Sequence, residues 1–533
     1  MTKTALAVFG ILAASVVPCL GQGLFAEPPA TTSLAPATPW LGVVRSRAVR
    51  VRLALIPGAT GRDAARGVLP PPGHRLTLNL FDDVVVRARM VRSAREGRAL
   101  VWSGKIEGEP SGDVVLAVVD GVLSASAVWP GGAYRVRFDG ASHVVEELDP
   151  GLFPEGGCFK EVPRGAAPAT ESATEPVVTA DDGSLIDVLV VYTPAARLAA
   201  GGTAGMLSQI DLAVAETNTG YANSHVIQRV RLAGTAEVAY TESGDISVDL
   251  DRVTTPGDGY MDGVAALRDT HHADLVSLVT ETPSSAYCGV AWLMAGNDPG
   301  FAPNAFSVVE LACMTGYYSF GHEMGHNMGL NHARSDPTGT GAFAYSFGYK
   351  NPASLFRTVM AYDCPVSCPR VLYFSNPAVS YGGNPTGVAT GSASAADNAL
   401  SLDNTRVTVA NWRAAPAQPT LTLVQPNGGE SWAAGSSHAI TWTTSGLAPD
   451  TVVNITYSNG RGGGFVSNAR SGAAIGRARV GQGSYSWKVP SNPGNRWRVT
   501  LCVPSPGSRV DGGAAGRGCL SSDSSDAPFS IVP

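Results

Sequence analysis

Residues 320–332 read FGHEMGHNMGLNH and place His322, Glu323, His326, Gly329 and His332 at the spacing H-E-x-x-H-x-x-G-x-x-H. On a helix, His322 and His326 share one face and present two imidazoles to a single ion. A continued helix would carry His332 too far along its axis to bind the same ion. The helix must therefore end at Gly329, where glycine permits the required backbone break. The motif predicts a zinc site with three histidine ligands and a fourth position open to water.

Glu323 follows the first of these histidines directly, so its carboxylate can reach a water molecule on the ion rather than the ion itself. Its carboxylate is placed to take a proton from the water at the metal, which makes Glu323 the candidate general base. Zinc lowers the pKa of bound water towards 7 and polarises a carbonyl oxygen. These residues at this spacing favour hydrolysis of peptide bonds, with Zn2+ as the cofactor and a polypeptide as the substrate.

A second motif, RTVMAYD at residues 357–363, places Met360 28 residues after His332. Together with the histidine motif, it resembles the metzincin clan of zinc metallopeptidases. The resemblance implies that Met360 forms an apolar floor beneath the metal. It also implies that Tyr362 hydrogen-bonds the oxyanion of the transition state, as a tyrosine at this spacing does in some members of the clan.

Residues 185–413 resemble secreted bacterial peptidyl-Asp metallopeptidases, through segments such as YCGVAW, ALRDTHHADLVSLV and CPRVLYFSNP. Enzymes of this kind cut on the amino side of Asp or a similar acid. The resemblance therefore implies a cation in the pocket that receives the acidic side chain. Arg370, Arg357 and Arg334 are the candidates, with a slight preference for Arg370 because it follows the Met360 turn.

The chain is expected to be multidomain and exported. Its first residues combine Lys3, a short apolar run and small residues, a pattern typical of a secretory signal peptide. Lipid anchoring through Cys19 is disfavoured, because Pro18 stands where a small residue is expected. Export implies an extracellular, oxidising environment. The predicted segments are a signal peptide (1–26), a β-rich propeptide with its linker (27–184), a catalytic domain (185–413), a second linker (414–418) and a β-sandwich (419–533).

Strand-like and helical patterns alternate within residues 185–413. This alternation predicts an α/β domain with a mixed, mostly parallel sheet and the active-site helix. A mixed edge strand is expected around residues 305–312, and an extended substrate would add to that edge by main-chain hydrogen bonds. Residues 51–148 consist of strand-like runs separated by glycine turns, which predicts the β-rich character of the propeptide.

Eight cysteines are present, and Cys19 lies in the predicted signal peptide. Pairing of neighbours within each domain gives three candidate disulfides, namely Cys288 with Cys313, Cys364 with Cys368, and Cys502 with Cys519. Cys158 is left over, just before the linker. One hypothesis makes its thiolate a fourth zinc ligand that keeps the precursor latent. The alternatives are an incidental thiol or a different disulfide.

The C-terminal block contains PNGGESW and resembles the immunoglobulin-like β-sandwich modules of secreted and cell-wall-associated proteins. It has no catalytic constellation, and the resemblance implies a cell-wall, carbohydrate or protein ligand. Its four tryptophans offer a binding surface in one interpretation and core packing in the other. These are Trp432, Trp442, Trp487 and Trp497.

Composition excludes some functions. The formal net charge is -6 and no block of Lys or Arg occurs, so a nucleic-acid partner is not expected. No transmembrane segment is predicted, because the N-terminal apolar run is short and no other run reaches the length of a membrane span. Two other functions stay open. They are a zinc endopeptidase of broad specificity and an inactive peptidase domain within a binding or adhesion protein.

Overall fold

The computed structural model describes residues 22–28, 40–156, 159–162, 181–283, 285–336, 339–353, 355–414, 419–459, 473–504 and 519–533. The chain divides into two compact units, Met1–Ala414 and Ala415–Pro533. Within the described ranges, no helix is both long enough and apolar enough to cross a membrane. Cys19, Cys158, most of the predicted signal peptide and most of the first predicted linker lie outside these ranges.

An antiparallel sheet opens the first unit. Its strands are β1 (Phe25–Ala26), β2 (Val43–Val51), β3 (Arg75–Phe81), β4 (Val84–Glu96), β5 (Ala99–Ile106), β6 (Glu109–Val119), β7 (Val122–Trp129), β8 (Gly132–Phe138) and β9 (His143–Leu148). They lie side by side in the order β1-β2-β9-β8-β7-β6-β5-β4-β3. In β6, Val114, Leu116 and Val118 join one buried cluster, while Val115, Ala117 and Val119 join another. Both faces of this strand are therefore covered, which explains its almost continuous apolar sequence.

Strand β1 includes residues that were assigned to the signal peptide. Leu24 and Phe25 are 0% and 1% exposed and belong to the core of the N-terminal sheet. The Leu24 N–H also donates to the Thr77 carbonyl at 2.8 Å, which connects β1 to β3. Leu24 and Phe25 both lie within the segment predicted as a signal peptide, whose boundary at residue 26 stays a prediction.

A second sheet follows. Its strands are β10 (Phe159–Glu161), β11 (Leu185–Tyr192), β12 (Arg229–Glu237), β13 (Leu275–Thr280), β14 (Gly289–Leu293) and β15 (Phe306–Glu310). Their order in space is β10-β14-β15-β13-β11-β12. The neighbours from β15 to β12 are parallel, β14 is antiparallel to β15, and β10 is parallel to β14. The sheet is thus mixed and mostly parallel.

The predicted edge strand was placed wrongly. Residues 306–310 form β15, an internal strand between β13 and β14, and all five are buried. The antiparallel strand is β14, and among the described residues β10 covers its outer side. The apolar sequence of 306–310 is therefore that of a fully buried strand, and a substrate cannot add there.

Eight α-helices occur in the part of the chain that the structure describes. They are α1 (Gly61–Ala65), α2 (Pro194–Ala199), α3 (Thr203–Asn223), α4 (Ile246–Thr254), α5 (Gly263–Thr270), α6 (Leu311–Met314), α7 (Ser319–Asn327) and α8 (Asn398–Val409). Single 3-10 turns occupy Leu53–Leu55, Pro150–Leu152, Pro299–Asn304 and Val480–Gln482. Helix α3 packs against β5, β6 and β7 on one side and against β12 and α7 on another. It is buried on most faces for that reason, and its residues join those of both sheets in one hydrophobic core.

Short strand pairs complete the first unit: β16 (Asn331–Ala333) with β17 (Phe347–Gly348), and β18 (Ser380–Tyr381) with β19 (Asn384–Pro385).

The second unit contains β20 (Thr420–Gln425), β21 (Ser431–Ala433), β22 (Ser437–Ser445), β23 (Val452–Ser458), β24 (Ala473–Arg479), β25 (Ser484–Lys488), β26 (Gly494–Pro504), β27 (Cys519–Ser524) and β28 (Phe529–Val532). One sheet runs β20-β22-β25 and the other β21-β28-β26-β23-β24, with β27 beside β26. Both sheets contribute to one core, in which Trp432, Trp442, Trp487 and Trp497 are all buried.

Candidate active site

Helix α7 and the turn after it bring the three histidines together. His322 and His326 lie on α7, which ends at Asn327. Gly329 adopts φ +85°, and the chain then turns back so that His332 lies on β16. The Nε2 atom of His322 is 3.2 Å from that of His326 and 3.3 Å from that of His332. Two nitrogens bound to one tetrahedral zinc ion lie about 3.4 Å apart, so the donor geometry fits this ion.

Hydrogen bonds orient two of the rings. The Nδ1 atom of His322 lies 2.8 Å from the Val359 carbonyl, and that of His326 lies 2.9 Å from the Leu330 carbonyl. A proton on Nδ1 donates to each carbonyl and leaves Nε2 free to bind a metal. Burial lowers the pKa of both imidazoles, and for His322 the neighbouring His326 and Arg370 lower the pKa further. The lowered pKa favours the neutral form of both rings, which is the form that binds a metal.

Glu323 lies on the same helix, and only 2% of it is exposed. Its Oε2 atom is buried and has no hydrogen-bond partner among the described residues. Burial raises the pKa of Glu323 well above its usual range, and the charge of Arg370 opposes this rise. Gly289 makes room for the side chain, because a Cβ atom at that position would lie 2.5 Å from Glu323 Oε1. An unsatisfied carboxylate oxygen beside the histidines suits a group that exchanges a proton.

Met360 lies against α7, the helix that carries His322 and His326. It is fully buried, and a Cβ atom on Gly325 would lie 2.7 Å from its Sδ atom. The glycine between the first two histidines therefore allows the close approach of Met360. Sequence reasoning assigned no role to Gly325, although its position inside the motif was visible.

Tyr362 packs beside the third histidine, with 4.1 Å between the ring centroids of Tyr362 and His332. The Tyr362 N–H donates to Asp336 at 3.0 Å, and Asp336 also forms an ion pair with Lys350. Asp336 thereby holds the backbone of Tyr362 beside His332. Nothing in the sequence pattern indicated Lys350.

Two of the three candidate arginines are buried beside Tyr317, close to His322 and Glu323. Arg357 and Arg370 have side chains that are 0% and 5% exposed, and both contact Tyr317. The Arg370 guanidinium carbon lies 4.2 Å from the ring centroid of Tyr317. Arg370, Tyr317, His322 and Glu323 line one cavity. Arg334 does not join them, since it is exposed and donates to the Ala395 carbonyl at 2.9 Å.

A carboxylate from the N-terminal part of the chain occupies this pocket. Glu155 accepts hydrogen bonds from Arg357, from the Tyr317 hydroxyl and from the Asp363 N–H. The Nη2 atom of Arg370 lies 3.7 Å from Glu155 Oε1. Burial raises the pKa of Glu155, but Arg370 and Arg357 outweigh this effect, so its pKa is lowered overall. The sequence pattern indicated neither Glu155 nor Tyr317, although Tyr317 stands just before α7.

Among the described residues, three disulfides join the pairs that the spacing of the cysteines suggested: Cys288–Cys313, Cys364–Cys368 and Cys502–Cys519. The first connects the residue before β14 to α6. The second closes the loop after Tyr362, where the Cys368 carbonyl accepts a hydrogen bond from Arg357 Nε at 3.3 Å. Two disulfides therefore fix elements that border the cavity.

Comparisons with known proteins agree with this geometry. A profile described as Metallo-peptidase family M12B Reprolysin-like matches residues 183–392. A peptidyl-Asp metalloendopeptidase of Stenotrophomonas maltophilia is 39% identical over 312 residues, covering 57% of this chain and 72% of the relative. One of Xanthomonas campestris pv. campestris is 35% identical over 364 residues, covering 65% of this chain and 84% of the relative. The chain is a zinc metalloendopeptidase and belongs to the reprolysin-like metallopeptidase family that includes these proteins.

Proposed function

We propose that this zinc endopeptidase is secreted as a precursor and cuts polypeptides on the amino side of Asp or Glu. One observation carries the acid preference. Arg357 and Arg370, both buried, pair with the carboxylate of Glu155, which lines the same cavity as Glu323 and His322. An arginine pair binds carboxylates through charge-assisted hydrogen bonds, whereas a neutral side chain would leave these donors unpaired.

The site residues take complementary roles. His322, His326 and His332 hold the zinc ion, which when bound activates a water molecule and polarises the peptide carbonyl. Glu323 accepts the proton of the attacking water and later passes it to the leaving amine. Tyr362 donates a hydrogen bond from its hydroxyl to the developing oxyanion, and Met360 forms an apolar floor beneath the metal. The Arg370 Nε atom is buried without a hydrogen-bond partner among the described residues, so this arginine retains a donor for a ligand.

Substrate binding is proposed to use strand β14. A polypeptide in extended form gains main-chain hydrogen bonds along the edge of a sheet. Strand β10 occupies this edge in the structure, so a substrate would pair with β14 once β10 has left.

The remaining segments are proposed to serve export, latency and targeting. A signal peptide over residues 1–26 would direct secretion, and the β-rich region up to residue 184 would act as a propeptide. Residues 419–533 would form an immunoglobulin-like β-sandwich with a cell-wall, carbohydrate or protein ligand. Since its four tryptophans are buried, a carbohydrate ligand would have to use other side chains. The thiolate of Cys158 remains a candidate for the group that keeps the precursor latent, as a fourth zinc ligand.

Cleavage profiling of a denatured proteome by mass spectrometry tests the function. We expect cuts before Asp and Glu that disappear after zinc chelation, with kcat about 100- to 10,000-fold lower in Glu323→Gln. Arg370→Gln should reduce the preference for Asp over Asn about 10- to 100-fold, because a hydrogen bond to a charged group is lost. Arg334→Gln is the matched control and should keep the preference.

Each failure would point to a different alternative. Zinc-dependent cuts without acidic preference would leave a broad-specificity endopeptidase. An absence of cleavage despite bound zinc would favour a binding or adhesion protein, although the retention of Glu323 argues against that function.

A further inference from the structure

We propose that Glu155 mimics an acidic substrate side chain. It keeps the arginine pocket, formed by Arg357, Arg370 and Tyr317, occupied for as long as the N-terminal region remains attached. The inference rests on the proposed acid-directed function and assigns a specific occupant to its pocket. It makes the segment around Glu155 an inhibitor that competes with the substrate.

The contacts of Glu155 are those expected of a bound ligand. One oxygen, Oε1, accepts from Arg357 and from the Tyr317 hydroxyl, with Arg370 Nη2 at 3.7 Å, while Oε2 accepts from the Asp363 N–H. The side chain is 16% exposed. All these donors belong to residues 317–370, more than 150 residues away in the sequence. The catalytic region thus supplies a complete carboxylate site, and the N-terminal region supplies the carboxylate.

Charge balance explains why the pocket needs an occupant. Arg357 and Arg370 are both buried, and burial of an unpaired charge is costly. Asp363 lies 3.5 Å from Arg357 Nε and compensates one of the two charges. Glu155 supplies the second negative charge. When the segment leaves, an acidic side chain of a substrate restores the same balance, and a neutral one does not.

Residues near Glu155 contact other parts of the candidate active site. Phe153 stacks on Tyr317 with 4.1 Å between the ring centroids. Phe159 lies 5.4 Å from the His326 ring and 5.3 Å from the His332 ring. Strand β10 then pairs with β14 from Phe159 to Glu161. Phe153 and Glu155 therefore lie against Tyr317 and the two arginines, while Phe159–Glu161 lie beside two of the histidines and along the edge of the sheet.

The first test measures the latency of the intact chain. The initial rate on a short fluorogenic peptide with an internal Asp is compared for the wild type, Glu155→Gln and Glu147→Gln, while mass spectrometry confirms that each chain is unprocessed. Glu147 forms an ion pair with Arg45 in the N-terminal sheet, so its variant controls for the loss of an acid–arginine pair elsewhere. We expect Glu155→Gln to be at least about tenfold more active than the other two proteins.

A second measurement does not depend on the folding of a variant. The peptide PGLFPEG, which corresponds to residues 150–156, is tested as an inhibitor of the processed enzyme beside PGLFPQG. We expect competitive inhibition, with an inhibition constant at least about tenfold higher for the glutamine peptide. Equal inhibition by both peptides would overturn the inference.

Other outcomes also count against it. Unchanged latency in Glu155→Gln together with lost latency in Cys158→Ser would assign inhibition to the cysteine. A new N terminus at Glu155 during activation would make the segment a substrate rather than an inhibitor. The cleavage profile of the processed wild type separates these failures from failure of the proposed function. An enzyme without acidic preference refutes that function, whereas an acid-directed enzyme with unchanged latency in Glu155→Gln refutes only the role of Glu155.

Discussion

Gly329 meets two constraints that a side chain would violate. Its φ of +85° lies in the left-handed region, and an added Cβ atom would lie 2.4 Å from the Cβ atom of Ala342. The strained backbone alone costs about 1–3 kcal/mol in a residue with a side chain, and the contact adds to this cost. Because the turn at Gly329 returns the chain to His332, any shift here also displaces the proposed third metal ligand.

Gly329→Ala should therefore lower both the melting temperature and the zinc content of the purified protein. Gly263→Ala is the matched control, since Gly263 lies at the start of α5 with no atom within 4 Å of an added Cβ. The control should change neither quantity. A Gly329→Ala protein that keeps full zinc content and stability would show that the turn tolerates a side chain. Differential scanning calorimetry and elemental analysis measure the two quantities.

At the scale of elements, two disulfides allow a comparison of loop lengths. Cys288–Cys313 closes a separation of 25 residues, and Cys364–Cys368 closes one of 4. Loop-closure entropy predicts a stabilisation of about 3.5 kcal/mol for the first and about 2 kcal/mol for the second. Replacement of both cysteines by serine should thus lower the free energy of unfolding more for the first pair. Denaturant unfolding checks this, and an equal or reversed order would contradict the entropic account.

The sequence predicted local features of the elements better than their neighbours in space. The spacing of His322, His326 and His332 fixes a helix and its end, because helix geometry relates these positions directly. The position of β15 was missed, since an apolar run reveals burial but not which strands lie beside it. The contact between Glu155 and Arg357 spans 202 residues, and no local periodicity encodes such a pair. Chemistry reduced the candidates for the cation in the pocket to three arginines. Only the fold shows that two of them, Arg357 and Arg370, lie together.

Across the whole molecule, buried carboxyl groups make stability depend on pH. Burial raises the pKa of Glu216, Asp274 and Glu310 to about 8. Each group keeps its proton in the folded state to a higher pH than in the unfolded state. The stabilisation is complete below the unfolded pKa and decreases as the pH rises towards 8, by about 1.4 kcal/mol per pH unit for each group.

Glu310→Gln should flatten this dependence because glutamine cannot ionise. The melting temperature of the zinc-saturated protein is measured between pH 5.5 and 8 for the wild type, for Glu310→Gln and for the exposed control Glu237→Gln. The difference between the variant and the wild type removes the separate effect of pH on zinc binding. An identical slope in all three proteins would mean that Glu310 is ionised in the folded state.

The division into two units predicts that catalysis does not require the second one. All proposed catalytic and pocket residues lie in Met1–Ala414, and the buried cluster of the second unit contains only residues after 420. A chain lacking residues 419–533 should therefore keep its kcat/KM on a short peptide within about twofold after maturation. The three histidines that could hold the metal lie in the first unit, so zinc chelation should lower the melting temperature of one calorimetric transition and leave the other unchanged. The truncated chain should retain the zinc-dependent transition alone. If truncation abolished this transition, the two units would fold as one cooperative structure, and the C-terminal region would be part of the enzyme rather than an accessory to it.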